Sequence, residues 1–385
     1  MWPRFKFWLL IIVVILGLRQ SRAVLGEVAI KNQAAIVGTT ASATPQTETP
    51  SMSDFQWRYL NEVYEVTLTL SEDLYQAYQG SSHFLSYRGE AAPDNWRESF
   101  YAMFLKTKPE DKFLPVVLNQ LQTQAVSHHL SDDQLVELVM SFVQSIPYDN
   151  DKLNNKNNQV NYPYETLYKQ TGVCSDKAVL AYMLLRSLGY GAAILVYPEK
   201  DHATVGVACP AGYTLSKTDY CYAETTNFFP IGFVPQSLDA VGRAVKTTGE
   251  SDSQFDRVFS SDFLGEQQIY QAASGKIYGG IVATYQKIDQ LKSLEKFINL
   301  TKPKIGEFQP TIKQKLNEAD SLQTQLDQYK KAGAVAAYNN LLPTYNRVAA
   351  EYNDLVSNYQ INLDSYNHAV NQYEAALNHI YTAGP

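Results

Sequence analysis

Cys174, His202 and Glu224 have the side chains, and the order along the chain, for thiol attack on a carbonyl carbon. In such a set the imidazole takes the thiol proton through one ring nitrogen. A carboxylate at the other nitrogen fixes the tautomer and stabilises the imidazolium. Cys174 follows Gly172-Val173 and opens an apolar run containing Val179, Leu180, Met183, Leu184 and Leu188. At the first turn of a helix it would meet free backbone N–H groups and the positive end of the helix dipole, which favour a thiolate. Each residue alone has a plainer reading. A free cysteine is usually a small core residue, and a strand-edge histidine or a lone glutamate is usually just a polar side chain. Their order makes the set specific.

Holding the set together requires a helix for the thiol and neighbouring strands for its partners. The pattern predicts a helix over 174–188, ended by Gly189, and then strands over 192–196, 203–208 and 220–225. His202 heads the second of these strands and Glu224 lies on the third. Upstream, Tyr64, Val66, Leu68 and Leu70 alternate with polar residues, the period of a half-buried strand. Helical patterns follow over 95–105 and 113–126. Ser131 and Gln134 have capping-box spacing for a further helix with Leu135, Leu138, Val139, Phe142 and Val143 on its apolar face, stopped by Pro147. Residues 149–161 are polar and Asn-rich and read as a loop. Residues 232–275 have no firm period and read as a connection.

The chain has three cysteines, Cys174, Cys209 and Cys221. Cys209 ends one predicted strand and Cys221 opens the next, so a hairpin could join them in a disulfide and leave Cys174 free. Three unrelated buried thiols are the alternative. The six histidines include no pair at metal-ligand spacing beside an acidic helix; His128 and His129 are adjacent and would face different ways. No glycine-rich phosphate loop is present, and no cofactor is expected.

Gly172-x-Cys174-x-Asp176-Lys177 with AVLAYMLLRSLGY, His202-Ala203, and Tyr222-x-Glu224-Thr225-Thr226 resemble the transglutaminase-like superfamily. The match is nearest to its prokaryotic branch described as cysteine proteases. SFVQSIPYDND, YPYETL and NFFPIGFVP resemble the flanks of that branch, so the likeness covers roughly residues 131–236. Val173 stands where relatives carry an acidic or small polar residue, and Glu224 where the wider superfamily has Asp. The resemblance implies an α+β papain-like core with Cys174 as nucleophile, His202 as base and Glu224 as orienting acid. It further implies acyl transfer on a peptide or protein amide, with hydrolysis ahead of cross-linking to an amine. The backbone N–H of Cys174 would serve as one oxyanion donor, and Tyr162, Tyr164 and Gln170 are candidates for a second.

With 385 residues, of which 45% are hydrophobic, the chain can build a sizeable core with extensions. A formal charge of -7 argues against a general nucleic-acid binder. Residues 1–25 carry Arg4 and Lys6, an apolar run from Phe7 to Leu18, and then Arg19 and Arg22, which suits a signal peptide or a signal anchor. A membrane-anchored, periplasmic or extracellular protein is therefore expected. Residues 26–53 read as a flexible linker, 54–235 as the transglutaminase-like domain, 236–277 as a connecting segment, and 278–385 as helical.

In the helical region Ile281, Tyr285, Ile288, Leu291, Leu294 and Ile298 form one face. Pro303, Gly306 and Pro310 are expected to break it before a second helix, which Gly333 weakens. In the third helix Tyr338, Tyr345, Tyr352, Tyr359, Tyr366 and Tyr373 recur every seventh residue. Val348, Leu355, Asn362, Ala369 and Ala376 fill the companion seam. This repeat predicts a coiled coil or a helical hairpin, within one chain or between chains. A different class of function stays open on the sequence: a non-catalytic, membrane-associated surface protein whose globular domain binds peptides and whose coiled coil mediates assembly.

Overall fold

The computed structural model describes residues 51–380 apart from 88–91, 155–158, 236, 240–242 and 245–260. The expected signal or anchor over 1–25 lies outside the described residues. Among the described residues, no helix is long and apolar enough to cross a membrane.

Strands β1 (Ser51–Tyr59) and β2 (Glu62–Leu70) form an antiparallel hairpin. Leu60 and Asn61, both at positive φ, make its two-residue turn. Alternation buries Phe55, Trp57 and Tyr59 of β1 with Tyr64, Val66, Leu68 and Leu70 of β2. Two strands alone are marginal in water, so helices complete the unit. α1 (Glu72–Gln79) and α2 (Trp96–Phe104) follow β2, and α3 (Phe113–Ser127) then lies along its free edge. Gln120 and Gln124 of α3 hydrogen-bond the backbone N–H and C=O of Thr67 and Glu65. These side-chain amides take the place of a third strand and close an edge that would otherwise be open to pairing.

The buried face of the hairpin packs on α4 (Asp132–Ser145), where Phe142 touches the rings of Phe55 and Trp57 and Ser141 accepts from Trp57 Nε1 at 2.9 Å. α4 starts at the expected Ser131–Gln134 capping box and ends before Pro147. A short α5 (Asn150–Asn154) falls within the expected loop, and α6 (Pro163–Lys169) precedes α7 (Cys174–Ser187).

The second sheet is antiparallel, with strand order β5-β4-β3-β6. β3 (Ala192–Tyr197), β4 (His202–Ala208) and β5 (Tyr220–Ala223) fall close to the predicted strands. β6 (Gln268–Ala273) comes from the stretch without a firm period and pairs with β3. Its residues are only half-buried, which explains the missing alternation. Cys209 and Cys221 form a disulfide that ties the end of β4 to the start of β5. Cys174 is the free cysteine.

The C-terminal region is two long helices, α8 (Ile281–Lys331) and α9 (Val335–Ile380). They run antiparallel: Lys315 pairs with Glu351, Phe308 meets Tyr359 further along α9, and Ile288 and Leu291 cluster with Ala376 near its end. The reversal is at Gly333 (φ 69), where Gly333 N–H bonds Lys330 O and Ala334 N–H bonds Tyr329 O. Val348, Tyr359, Ala369 and Ala376 are buried along the seam.

The expected break at Pro303, Gly306 and Pro310 does not occur, and α8 runs through all three. Each proline frees the carbonyl four residues earlier, at Asn299 and at Gly306, and both of those residues are exposed. Exposure leaves the freed groups open to solvent, while packing against α9 keeps the helix continuous. Replacing Pro303 with Ala is therefore expected to raise the thermal midpoint of the helical signal in far-UV circular dichroism. The gain should be at most about 3 kcal/mol, the interior proline penalty. A lowered midpoint would mean that the proline is shaping the hairpin.

Candidate active site

The site forms where the N-terminus of α7 meets the start of β4 and the end of β5. Cys174 is the first residue of α7. Its turn is set by Asp176, fully buried, whose Oδ2 accepts the Val173 N–H at 3.0 Å. Asp176 Oδ1 accepts the Asn161 N–H at 2.7 Å, and Lys152 Nζ reaches both carboxylate oxygens at 2.9 and 2.7 Å. Burial pushes the Asp176 carboxyl above its ordinary value, against the pull of Lys152 and the two N–H donors. The turn before Cys174 is tight: a Cβ on Gly172 would lie 3.0 Å from Thr166 Cγ2.

Lys177, one residue past Asp176, is also fully buried. Its ammonium donates to Gln144 O at 3.2 Å and Ile146 O at 2.7 Å, and so caps the C-terminal end of α4. Burial draws it down to about 7, although the charges at Glu224 and Cys174 favour its protonated form. Gln144 turns its side-chain amide the other way and donates to Glu224 O and Phe229 O. The end of α4 thereby links α7 to the chain leaving β5.

His202 opens β4, and β5 lies alongside with Tyr222 opposite Gly206. The even spacing from 202 to 206 puts His202 and Tyr222 on one face of the sheet. His202 Nε2 lies 3.0 Å from the Tyr222 hydroxyl and 3.2 Å from Glu224 Oε2, and the Tyr222 hydroxyl donates to the same carboxylate oxygen. His202 also hydrogen-bonds the Cys174 side chain. The Cys174 Sγ further lies 3.8 Å from Asp201 O.

Glu224, expected within the strand over 220–225, is instead the first residue beyond β5, which ends at Ala223. Its Oε1 accepts the N–H groups of Thr225 and Thr226 at 2.9 and 2.8 Å and the Thr226 hydroxyl at 2.7 Å. A side chain that captures the next two backbone donors ends the ladder there. Burial raises the Glu224 carboxyl, but the charge on His202 and the hydrogen bonds outweigh it and hold it down to about 2. For His202, burial disfavours the imidazolium, yet Glu224 and the bonds to Cys174 and Glu224 raise it to about 10.

The structure thus brings the three residues singled out by sequence into one hydrogen-bonded chain. It does not bring in the three candidates for a second oxyanion donor. The Tyr162 hydroxyl donates to Ser82 O, the Tyr164 hydroxyl accepts the Ser71 N–H, and Gln170 is the left-handed C-cap of α6. Two other tyrosines stand at the site instead. Tyr222 links His202 to Glu224, and its place two residues before the acid on a strand could have flagged it. The Tyr148 hydroxyl lies beside Cys174, within reach of its backbone N–H and side chain. Nothing in its sequence spacing connects it to the cysteine.

A family model described as a transglutaminase-like domain matches residues 121–215. This span runs from α3 through β4, contains Cys174 and His202, and ends before Glu224. No curated protein matches the chain.

The His202–Glu224 pair should make stability depend on pH in a definite direction. Glu224, depressed from 4.5 to about 2, adds stability that is present above pH 4.5 and lost as pH falls towards 2. His202, raised from 6.5 to about 10, adds stability that is present below pH 6.5 and lost as pH rises towards 10. Both contributions are complete between 4.5 and 6.5. In denaturant melts across this range, Glu224→Gln should lose on the order of 3 kcal/mol near pH 5.5 relative to the parent, with the deficit shrinking at both ends. A deficit independent of pH would show that the pair is not ionised.

Proposed function

We propose that the chain is an exported thiol-dependent acyl-transfer enzyme acting on peptide or protein amides, with a papain-like arrangement of its core. The observation that carries this reading is the position of the His202 ring, hydrogen-bonded to the Cys174 thiol on one side and to Glu224 on the other. The transglutaminase-like match over residues 121–215 supports it, since such domains are often cysteine-based enzymes.

Cys174 is the nucleophile. With its proton held on the His202 imidazolium, which Glu224 favours, the thiolate forms a bond to the amide carbon and the carbonyl electron pair moves onto oxygen. As that pair returns, the C–N bond breaks and the leaving amine takes the proton from His202. A thioester remains on Cys174. His202 then removes a proton from water, hydroxide adds to the thioester, and the acid leaves as the thiol regenerates. Glu224, aided by the Tyr222 hydroxyl, holds the ring in place and stabilises its protonated form. Water is the acceptor of choice in this reading, and an amine acceptor would make the protein a cross-linker. The Cys209–Cys221 disulfide favours an oxidising compartment, in agreement with an exporting or anchoring segment over 1–25.

Because Cys174 is the free cysteine, its alkylation can be followed directly. Iodoacetamide should modify the parent rapidly at pH 7, and His202→Ala should slow this by about 100-fold, the scale of general-base assistance. Equal rates in the two proteins would sink the enzymatic reading and favour a peptide-binding surface protein. Mass measurement of the acylated enzyme with and without a primary amine then separates hydrolysis from transfer.

A further inference from the structure

When Sγ attacks an amide, negative charge gathers on the carbonyl oxygen, and donors must already be aimed where that charge develops. The backbone N–H of Cys174, in the first turn of α7, is one such group. We infer that the hydroxyl of Tyr148 is the second oxyanion donor and a catalytic residue of this site, a role that rests on the acyl-transfer reading above.

Proximity marks the place. Tyr148 pairs with Gly172, two residues before Cys174, and its hydroxyl lies within reach of the Cys174 N–H and side chain, the groups that an attacked carbonyl must approach. A carbonyl carbon bonded to Sγ sets its oxygen beside that N–H. There it accepts the phenolic hydrogen. The step needs no proton transfer from the phenol: the sulfur pair forms the S–C bond, the C=O π pair moves to oxygen, and Tyr148 donates a hydrogen bond only. Burial first, and then the charge at Cys174, hold the phenol well above its ordinary value, so it keeps its proton throughout.

Tyr148 is also fixed in advance, as an oxyanion donor must be. It pairs with Gly172 in an isolated parallel bridge, with Gly172 N–H to Pro147 O at 3.1 Å and Asp149 N–H to Gly172 O at 3.3 Å. Two residues upstream, the buried Lys177 ammonium holds Ile146 O. The Arg243 guanidinium lies 5.9 Å from the ring centroid. The turn carrying Tyr148 and the turn carrying Cys174 are therefore hydrogen-bonded to each other, and the distance between hydroxyl and thiol does not depend on a mobile loop.

Other donors near the site are committed elsewhere. The Tyr222 hydroxyl serves Glu224 and His202, and the Lys177 ammonium serves the end of α4. Tyr101 of α2 stacks on Tyr270 with centroids 5.3 Å apart and feels the charge of Cys174. It makes a useful control, because its ring is near the thiol without holding the Cys174 N–H.

The test compares two reactions of Cys174 in the full chain with its disulfide intact. Acylation by p-nitrophenyl acetate builds an oxyanion, whereas alkylation by iodoacetamide does not. Tyr148→Phe should lower the ratio of acylation to alkylation rate by about 100-fold, the usual cost of one oxyanion donor, and Tyr101→Phe should leave it unchanged. Retained alkylation in Tyr148→Phe shows that the Cys174–His202 pair is still assembled. An unchanged ratio, including an equal fall in both rates, would make Tyr148 a brace for the turn and overturn the assignment. Absence of acylation in the parent, with alkylation present, would instead overturn the acyl-transfer reading itself.

Discussion

The carboxylate of Asp176 is the fixed point of the site. It is completely buried, and it gathers the Lys152 ammonium and the N–H groups of Asn161 and Val173 around the first turn of α7. Removing any one of these partners would leave a buried charge or donor unsatisfied, at a cost of several kcal/mol. The cysteine two residues earlier inherits this rigidity. Its sulfur stands where the helix N-terminus puts it, and every other contact in the site is measured from that position. The next residue, Lys177, carries the constraint outward by tying α7 to the end of α4 and to the segment that bears Tyr148.

A second buried ion pair, His202–Glu224, joins the start of β4 to the end of β5. Neither would be stable in an apolar core through attraction alone, because two ions taken out of water lose more hydration than their Coulomb energy returns. Glu224 is saturated instead: two backbone N–H groups and three side chains surround its two oxygens. That saturation is why its carboxyl stays ionised in full burial and can hold the imidazole in one orientation. The disulfide joining Cys209 to Cys221 keeps short β5 against β4, so the acid and the imidazole share a rigid edge.

The helical hairpin obeys different physics. Its helices have few fully buried residues, and half-buried positions line most of the seam. Such a pair is held by the length of its contact rather than by a thick core. This explains how α8 tolerates two interior prolines: the residues whose carbonyls they free are exposed, and long stretches of packing on either side keep the helix continuous. The seven-residue tyrosine repeat runs along this seam, with Tyr359 buried against Phe308 and the others half-exposed.

Where chemistry is local, the sequence by itself determined the answer. The capping box at Ser131 and Gln134, the stop at Pro147, the strands around His202 and Tyr222, and the order of Cys174, His202 and Glu224 all depend on near neighbours or on simple periods. The same holds for the disulfide, whose two cysteines sit at adjoining strand ends. Only the tertiary structure decided what depends on distant partners. β6 has no alternation to read because its faces are half-covered, and it becomes a strand by pairing with β3. The strand-like hydrogen bonds of Gln120 and Gln124 exist only because α3 lies along β2. The prolines of α8 read as breaks until α9 supplies the packing that carries the helix past them. Tyr148 reaches Cys174 through a bridge between two turns with a whole loop of chain between them, and no local pattern encodes that contact. Periodicity records which face of an element is buried, but not which element buries it. The positions of Tyr148 and β6 are statements of the second kind.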